Sequence, residues 1–274
     1  MKALICIFFL SLGYSGFAQK GQHIQYSVSA NSQGSSDAVI VDDVPLVHTT
    51  QFLPLDKSGN IVGSGDINAQ INQVFLNISS SLKQAGSKPA QIVKLNIYVR
   101  NSGLISAVQE HINKRFKSGN RPALSFVSGD LSHSDALISM DAIAVSSKDK
   151  QEAVNYIMPA NLSSAQGISQ AAILPAGPVV YVSGQAVKGE LAEATRGTLE
   201  QLQATLVSLE LDKKDIVQIK SFIRPMSDLK VVEEEFAKFF KGSTIPPMVN
   251  VEWTSKDPVI EIELIASSPN TASK

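Results

Sequence analysis

The chain has 274 residues, 43% of them apolar, with 24 basic and 25 acidic side chains and a formal net charge of −1. That length accommodates one large or two ordinary domains, and the apolar share supplies packed cores, which excludes a disordered chain. No Lys/Arg-rich block interrupts the balance, so nucleic-acid binding, which calls for a basic patch or stripe, is not expected.

Residues 1–18 have the layout of a cleaved signal peptide. Lys2 gives a positive start, Ala3 to Leu12 is almost unbroken apolar sequence, and Gly16 and Ala18 are small residues placed for cleavage before Gln19. The run is too short for a comfortable membrane span, although a retained anchor is the alternative. Secretion or a periplasmic location, with no membrane attachment after cleavage, is therefore expected. The only cysteine, Cys6, lies inside this segment, so the mature chain would have no disulfide, cysteine nucleophile or thiolate metal site. Residues 19–37, rich in Gln, Ser and Gly, read as a loose leader.

From residue 38 onward the chain repeats itself. A β-hairpin region comes first, at about 38–65, with Asp56-Lys57-Ser58-Gly59-Asn60 as a turn. Gly63-Ser64-Gly65-Asp66 follows, a turn rather than a phosphate loop, with Asp66 placed as a helix N-cap. Ile71, Phe75, Ile78, Leu82 and Ala85 form an apolar stripe at helical spacing, and Gly86 is a natural stop. Val93, Leu95, Ile97 and Val99 then alternate as in a strand. Ile105, Val108, Ile112 and Phe116 mark a second helix, and two closing strands end the first copy near residue 146. A charged, turn-prone linker covers 147–165. The second copy, 166–267, opens with a hairpin at about 171–189. Its helical stripes are Leu199, Leu202, Leu206 and Leu209, then Leu229, Val232, Phe236 and Phe240. Residues 268–274 are a tail.

The correspondence is closest where Ile92-Val93-Lys94-Leu95-Asn96-Ile97-Tyr98-Val99-Arg100 meets Ile216-Val217-Gln218-Ile219-Lys220-Ser221-Phe222-Ile223-Arg224. It continues to Pro122 and Pro246, and then from Ile138 and Ile260 to the ends of the copies. Upstream, Thr49-Thr50-Gln51 is set against Ser183-Gly184-Gln185. The insertions fall in turns, as duplication leaves them. The fold class is α+β: two tandem ββαβαββ units, each with both helices on one face of a mainly antiparallel sheet.

Few residues advertise chemistry. His23, His48, His111 and His133 are scattered without ligand spacing, so no metal site is expected. The run Glu233-Glu234-Glu235, with Lys238 and Lys241, reads as a solvated helix face. Asn77 and Asn161 fit the glycosylation pattern, but Asn77 falls inside a core-packed helix.

In order along both copies, these segments resemble the RidA/YjgF family, also labelled endoribonuclease L-PSP-like. Gly167-Ile168-Ser169-Gln170-Ala171, Val182-Ser183-Gly184-Gln185, Asp215-Ile216-Val217-Gln218, Ile245-Pro246-Pro247-Met248-Val249 and Ile260-Glu261-Ile262-Glu263 are similar to its successive motifs. In the first copy, Pro54–Gly59 and Gln73–Gly86 resemble its hairpin and first helix. The resemblance implies a chorismate-mutase-like trimer with small-molecule pockets at subunit interfaces. It also implies a cofactor-independent hydrolysis of enamines and imines, in which an arginine clamps the substrate carboxylate and an acidic residue positions water.

The arginine position holds Leu124 in copy one and Met248 in copy two, which counts against the parent reaction in both; Arg121 lies three residues upstream of Leu124. The family tyrosine position holds Ser35 and Ile168. The acidic position survives as Asp141 and Glu263, the candidate catalytic pair. Thr50, Leu124, Phe126, Ser183, Gly184, Met248 and Asn250 are the candidate binding residues by the same resemblance. The reading is of a metabolite-binding protein without deaminase activity, assembled as a homotrimer of two-domain chains in two stacked rings. The alternatives are a C=N hydrolase of altered specificity, with Glu263 positioning water, and a non-catalytic scaffold.

Overall fold

The computed structural model describes residues 23–28, 34–116, 120–148, 152–160, 162 and 167–268. The signal-peptide segment, Cys6 and Asn161 lie outside these. Copy one contains strands β1 (Ile24–Ser27), β2 (Ala38–Val41) and β3 (Leu46–Thr49), helix α1 (Ile67–Gln84), β4 (Ile92–Val99), α2 (Ile105–Arg115), β5 (Ala123–Ser128) and β6 (Ile138–Val145). Copy two contains β7 (Asn155–Ile157), β8 (Ala171–Leu174), β9 (Val179–Gln185), α3 (Leu191–Ser208), β10 (Ile216–Ile223), α4 (Leu229–Phe239), β11 (Met248–Glu252) and β12 (Ile260–Ser267). Among the described residues no helix is long and apolar enough to cross a membrane.

The helices form where the periodicity places them. Asp66 caps α1, its carboxylate accepting from the amides of Asn68 and Ala69. Ile71, Phe75, Ile78, Leu82 and Ala85 are all buried, each large side chain contributing about 1.5–3 kcal/mol. Gly86 takes a positive φ of 70° at the helix end, where a side chain would be strained. In α3 the stripe ends early: Leu199, Leu202 and Leu206 are buried, but Leu209 stands past the last turn and is exposed. The hairpin over 55–61 forms, with Leu55 bridged to Ile61 and the Asp56 carboxylate accepting from the amides of Ser58 and Asn60.

The sheets depart from two self-contained units. Copy two has a four-stranded sheet in the order β11-β10-β12-β9, whereas copy one lies in a six-stranded sheet in the order β5-β4-β6-β3-β8-β7. The expected opening hairpins do not pair: β8 crosses to copy one and runs antiparallel to β3, Leu46 opposite Leu174 through Thr49 opposite Ala171. The reason is burial. All four residues of β8 are buried there, so its alanines, Ile173 and Leu174 gain more from the neighbouring core than from the half-exposed β9.

Residues read as leader and linker carry strands. β1 pairs with β2, Tyr26 opposite Val39, and β7 pairs with β8, Tyr156 opposite Ala172. The repeat therefore starts earlier than residue 38. Strand registers also shift one expected match. His48 opposes Ile143 and Tyr181 opposes Ile265, which makes Tyr181 the counterpart of His48, Ser183 that of Thr50 and Gly184 that of Gln51.

The copies meet through the sheet faces away from their helices. Tyr98, Leu131 and Ala136 of copy one pack with Val249 and Val251 of copy two, joined by Leu53, Ile61 and Phe222. Ala172, Leu174 and Val217 of copy two form a second cluster, against which Leu46 of copy one packs.

Candidate functional site

A cavity of about 690 Å³ opens between the copies. Copy one supplies the segment after β3, from Thr50 to Leu55, together with Asn77, Arg100 and the loop of Asp130, Leu131, Ser132 and Ser134. Copy two supplies Ile168 and Gln170, Met226 and Ser227 just before α4, Leu229, Lys230 and Glu233 within it, and Met248 and Asn250 on β11. Its volume falls in the range of small-molecule pockets.

Hydrogen bonds across the seam fix the floor. The Thr50 hydroxyl donates to the Met248 carbonyl at 2.8 Å, and the Gln51 amide donates to the same oxygen at 3.0 Å. The Met248 amide donates back to the Thr50 hydroxyl at 3.3 Å. The Asn250 amide donates to Gln51 Oε1 at 3.0 Å, and Gln218 Nε2 donates to the Thr49 carbonyl at 2.7 Å. Asn250 Oδ1 is buried with no hydrogen-bond partner, an acceptor of the kind that native structures seldom leave idle.

The charged lining comes from both copies. Arg100 is tied down: Nε donates to the Ala136 carbonyl at 2.8 Å, Nη2 to the His133 carbonyl at 2.7 Å, and Nη1 pairs with Asp130 at 3.4 Å. On the facing wall are Lys230 and Glu233. Burial pushes the Glu233 carboxyl up from its ordinary value. The acidic run of α4 is thus not a uniformly solvated face. Glu233 turns to the cavity, while Glu235 is buried and paired with Arg196 at 3.2 Å and Lys238 at 2.7 Å.

Of the candidate binding residues, Thr50, Met248 and Asn250 meet in this cavity. Ser183 lies with Glu263, Lys220, Gln218 and Tyr181 around a separate opening of about 450 Å³ lined by copy two. Gly184 lies beneath the Glu261 carboxylate, close enough that a Cβ would collide with it. Leu124 and Phe126 sit half-buried on β5 against the core of copy one. Arg121 stays away from the cavity; its carbonyl accepts from the Ser36 hydroxyl at 2.6 Å.

The acidic pair diverges. Asp141 is fully buried, accepting from the Tyr98 hydroxyl at 2.8 Å and from Asn96 Nδ2 at 2.9 Å. Burial pushes its carboxyl up, opposed by those two donors and by Lys220 and Lys94. Glu263 is part-exposed and pairs with Lys220 at 3.5 Å. Neither lines the interdomain cavity. Among the described residues no three His, Cys, Asp or Glu side chains converge as a metal site.

Sequence reasoning missed Asp130, Lys230 and Glu233, because the cavity exists only once the copies are docked.

Comparison with known proteins accounts for both halves. The family model described as Endoribonuclease L-PSP matches residues 30–146 and again 158–268. A RutC family protein of Pyrococcus horikoshii is 33% identical over 91 residues, covering 32% of this chain and 71% of its own. Protein DfrA of Myxococcus xanthus is 29% identical over 112 residues, covering 36% of this chain and 84% of its own. Among solved structures, YyfB from Yersinia pestis, of the Rid protein family and of unknown function, is 26% identical. It covers 45% of this chain and 99% of its own, with a TM-score of 0.42. Matched by one family twice along its length, this chain belongs to the endoribonuclease L-PSP family as a tandem pair of diverged copies.

Proposed function

We propose that the chain binds a small metabolite in the cavity between its two copies and does not carry out the imine and enamine hydrolysis that the family resemblance implies. The observation that carries this reading is the floor of the cavity. At the place of the family arginine stands Met248, with its backbone held by Thr50 and Gln51 and the unpaired Asn250 Oδ1 two residues on. A substrate carboxylate there has no guanidinium fork to meet it, because Arg100 is bound to protein carbonyls and to Asp130. The lining carries two cationic and two anionic side chains, Arg100 and Lys230 against Asp130 and Glu233. This balance favours a ligand without net charge, with an apolar body against Met248, Ile168 and Leu229 and a donor for Asn250. The separation of Asp141 and Glu263 from the cavity also speaks for binding rather than hydrolysis.

Thermal-shift screening against uncharged and zwitterionic metabolites tests the reading. Compounds that stabilise the chain should lose their effect in Asn250→Leu while the unliganded melting point stays near its original value. If no compound shifts the transition, the scaffold reading takes its place. Release of ammonia from 2-imino acids, abolished by Glu263→Gln, would instead restore the enzymatic reading. An extracytoplasmic location, with cleavage after Ala18, belongs to the same proposal. Amino-terminal sequencing of the chain recovered from the periplasm or medium should begin at Gln19, and an intact Met1 would reject it.

A further inference from the structure

The sheet faces that meet between the copies hold charged groups as well as apolar ones. On β4, Leu95, Ile97 and Val99 enter the core of copy one, which leaves Lys94, Asn96 and Tyr98 on the opposite side. On β10, Ile219 and Ile223 enter the core of copy two, and Lys220 and Phe222 lie on the other side. Phe222 joins Tyr98 in one cluster across the seam. The two lysines are partnered differently. Lys220 has the Glu263 carboxylate at 3.5 Å. Lys94 Nζ donates to the Ser125 hydroxyl at 2.6 Å and, among the described residues, has no carboxylate within ion-pair distance. Asp141 lies near it, but its two oxygens accept from Tyr98 and Asn96. A hydroxyl does not neutralise an ammonium, so burial holds Lys94 below its ordinary value; Asp141 opposes this and Lys220 adds to it. A half-buried amine beside a second cation is the form in which lysine attacks a carbonyl carbon.

We propose that Lys94 captures small aldehydes and ketones covalently, as an imine formed at the seam. The nitrogen lone pair makes the C–N bond, and the carbonyl oxygen leaves as water with the two hydrogens of the amine. The Ser125 hydroxyl, in contact with the nitrogen, relays a proton to the departing oxygen. Asp141, whose carboxyl is raised by burial, and the Lys220 ammonium are the acids whose charges act on this amine. Lys220 also lines the opening of about 450 Å³, with Tyr181, Val182, Leu264 and Ile265 as its apolar wall and Glu263 balancing its charge. That lining fits an uncharged carbonyl compound. None of these residues borders the cavity between the copies, so the proposal stands apart from the ligand reading.

Reductive trapping tests it in the full chain. The protein is treated at neutral pH with a limiting amount of propanal, the imine is fixed with cyanoborohydride, and the propyl groups are mapped by peptide mass spectrometry. Lys94 should be modified several-fold faster than Lys83, which is exposed in the last turn of α1. This comparison is made in the unaltered chain and depends on no variant folding. Lys94→Arg should remove the fast phase. Lys220→Met takes away the neighbouring cation and frees Glu263, so it should slow modification of Lys94 several-fold while Lys83 keeps its rate. Lys220→Arg keeps the cation and should keep the fast rate, which exposure alone would not explain. Modification of Lys94 no faster than that of Lys83 overturns the proposal, as does a Lys94 rate that Lys220→Met leaves unchanged.

Discussion

His48 and Tyr181 occupy the same rung of the two sheets, opposite Ile143 and Ile265, yet one is buried and the other faces solvent. The difference lies outside either copy's own fold: β8 covers the first, and no described strand covers the second. The acidic position repeats the lesson. Asp141 is sealed beneath Tyr98 and Asn96 where the copies meet, and Glu263 keeps a partly wet pairing with Lys220. Duplication supplied two equal frames, and docking made one set of side chains interior and left the other at the surface.

Substitutions at matched positions can break this comparison. Asp141→Ala strands the buried Tyr98 hydroxyl and takes a partner from the part-buried Asn96 amide, and should cost about 3 kcal/mol in urea unfolding. Glu263→Ala removes a part-exposed pair and should cost less than about 1 kcal/mol. Equal losses would mean that the copies are not divided into sealed and open halves.

Acid sharpens the contrast next. Burial lowers the His48 imidazole to about 4, with the Gln218 side chain opposing the effect only in part. A histidine held neutral in the folded state contributes stability above its unfolded value of about 6.5, and this is lost as pH falls towards 4. The loss should reach about 3 kcal/mol at full protonation. His48→Phe should flatten the dependence, as judged by unfolding midpoints at neutral and acid pH. Asp141 acts in the opposite sense: its raised carboxyl favours the fold more as pH drops. The double variant with Asp141→Asn separates the two. A third, smaller effect is expected at Gln218→Leu, which removes the bond to the Thr49 carbonyl and should cost about 1–2 kcal/mol. Tyr181→Ser, on the bare rung, should change the stability of a single chain by less than about 0.5 kcal/mol.

Much of the fold was legible along the chain. The helical stripes through Phe75 and Leu202, the Asp66 cap, the Gly86 stop and the alternation of Leu95, Ile97 and Val99 rest on local chemistry, and each took the form its spacing dictates. Strand partnership was not legible. Alternation tells which side of a strand is buried but not which strand lies beside it, so Ala171–Leu174 read as half of its own hairpin. The β1 and β7 strands left a trace, Gln25-Tyr26 beside Asn155-Tyr156, that composition obscured. At the site, Thr50, Met248 and Asn250 came together because they sit on paired edges carried over from the family. Asp130, Lys230 and Glu233 joined them only through the docking of two surfaces that no linear pattern records.

The crossing of β8 bears on how the protein is made. A ribosome delivers copy one, β1 to β6, before the copy-two strand that covers the free edge of β3. Until Ala171–Leu174 have been translated, the nascent first half presents a bare strand edge at Leu46–Thr49. Completion of the earlier half therefore waits on synthesis of the later one, and a chain truncated before residue 171 should fold poorly and aggregate.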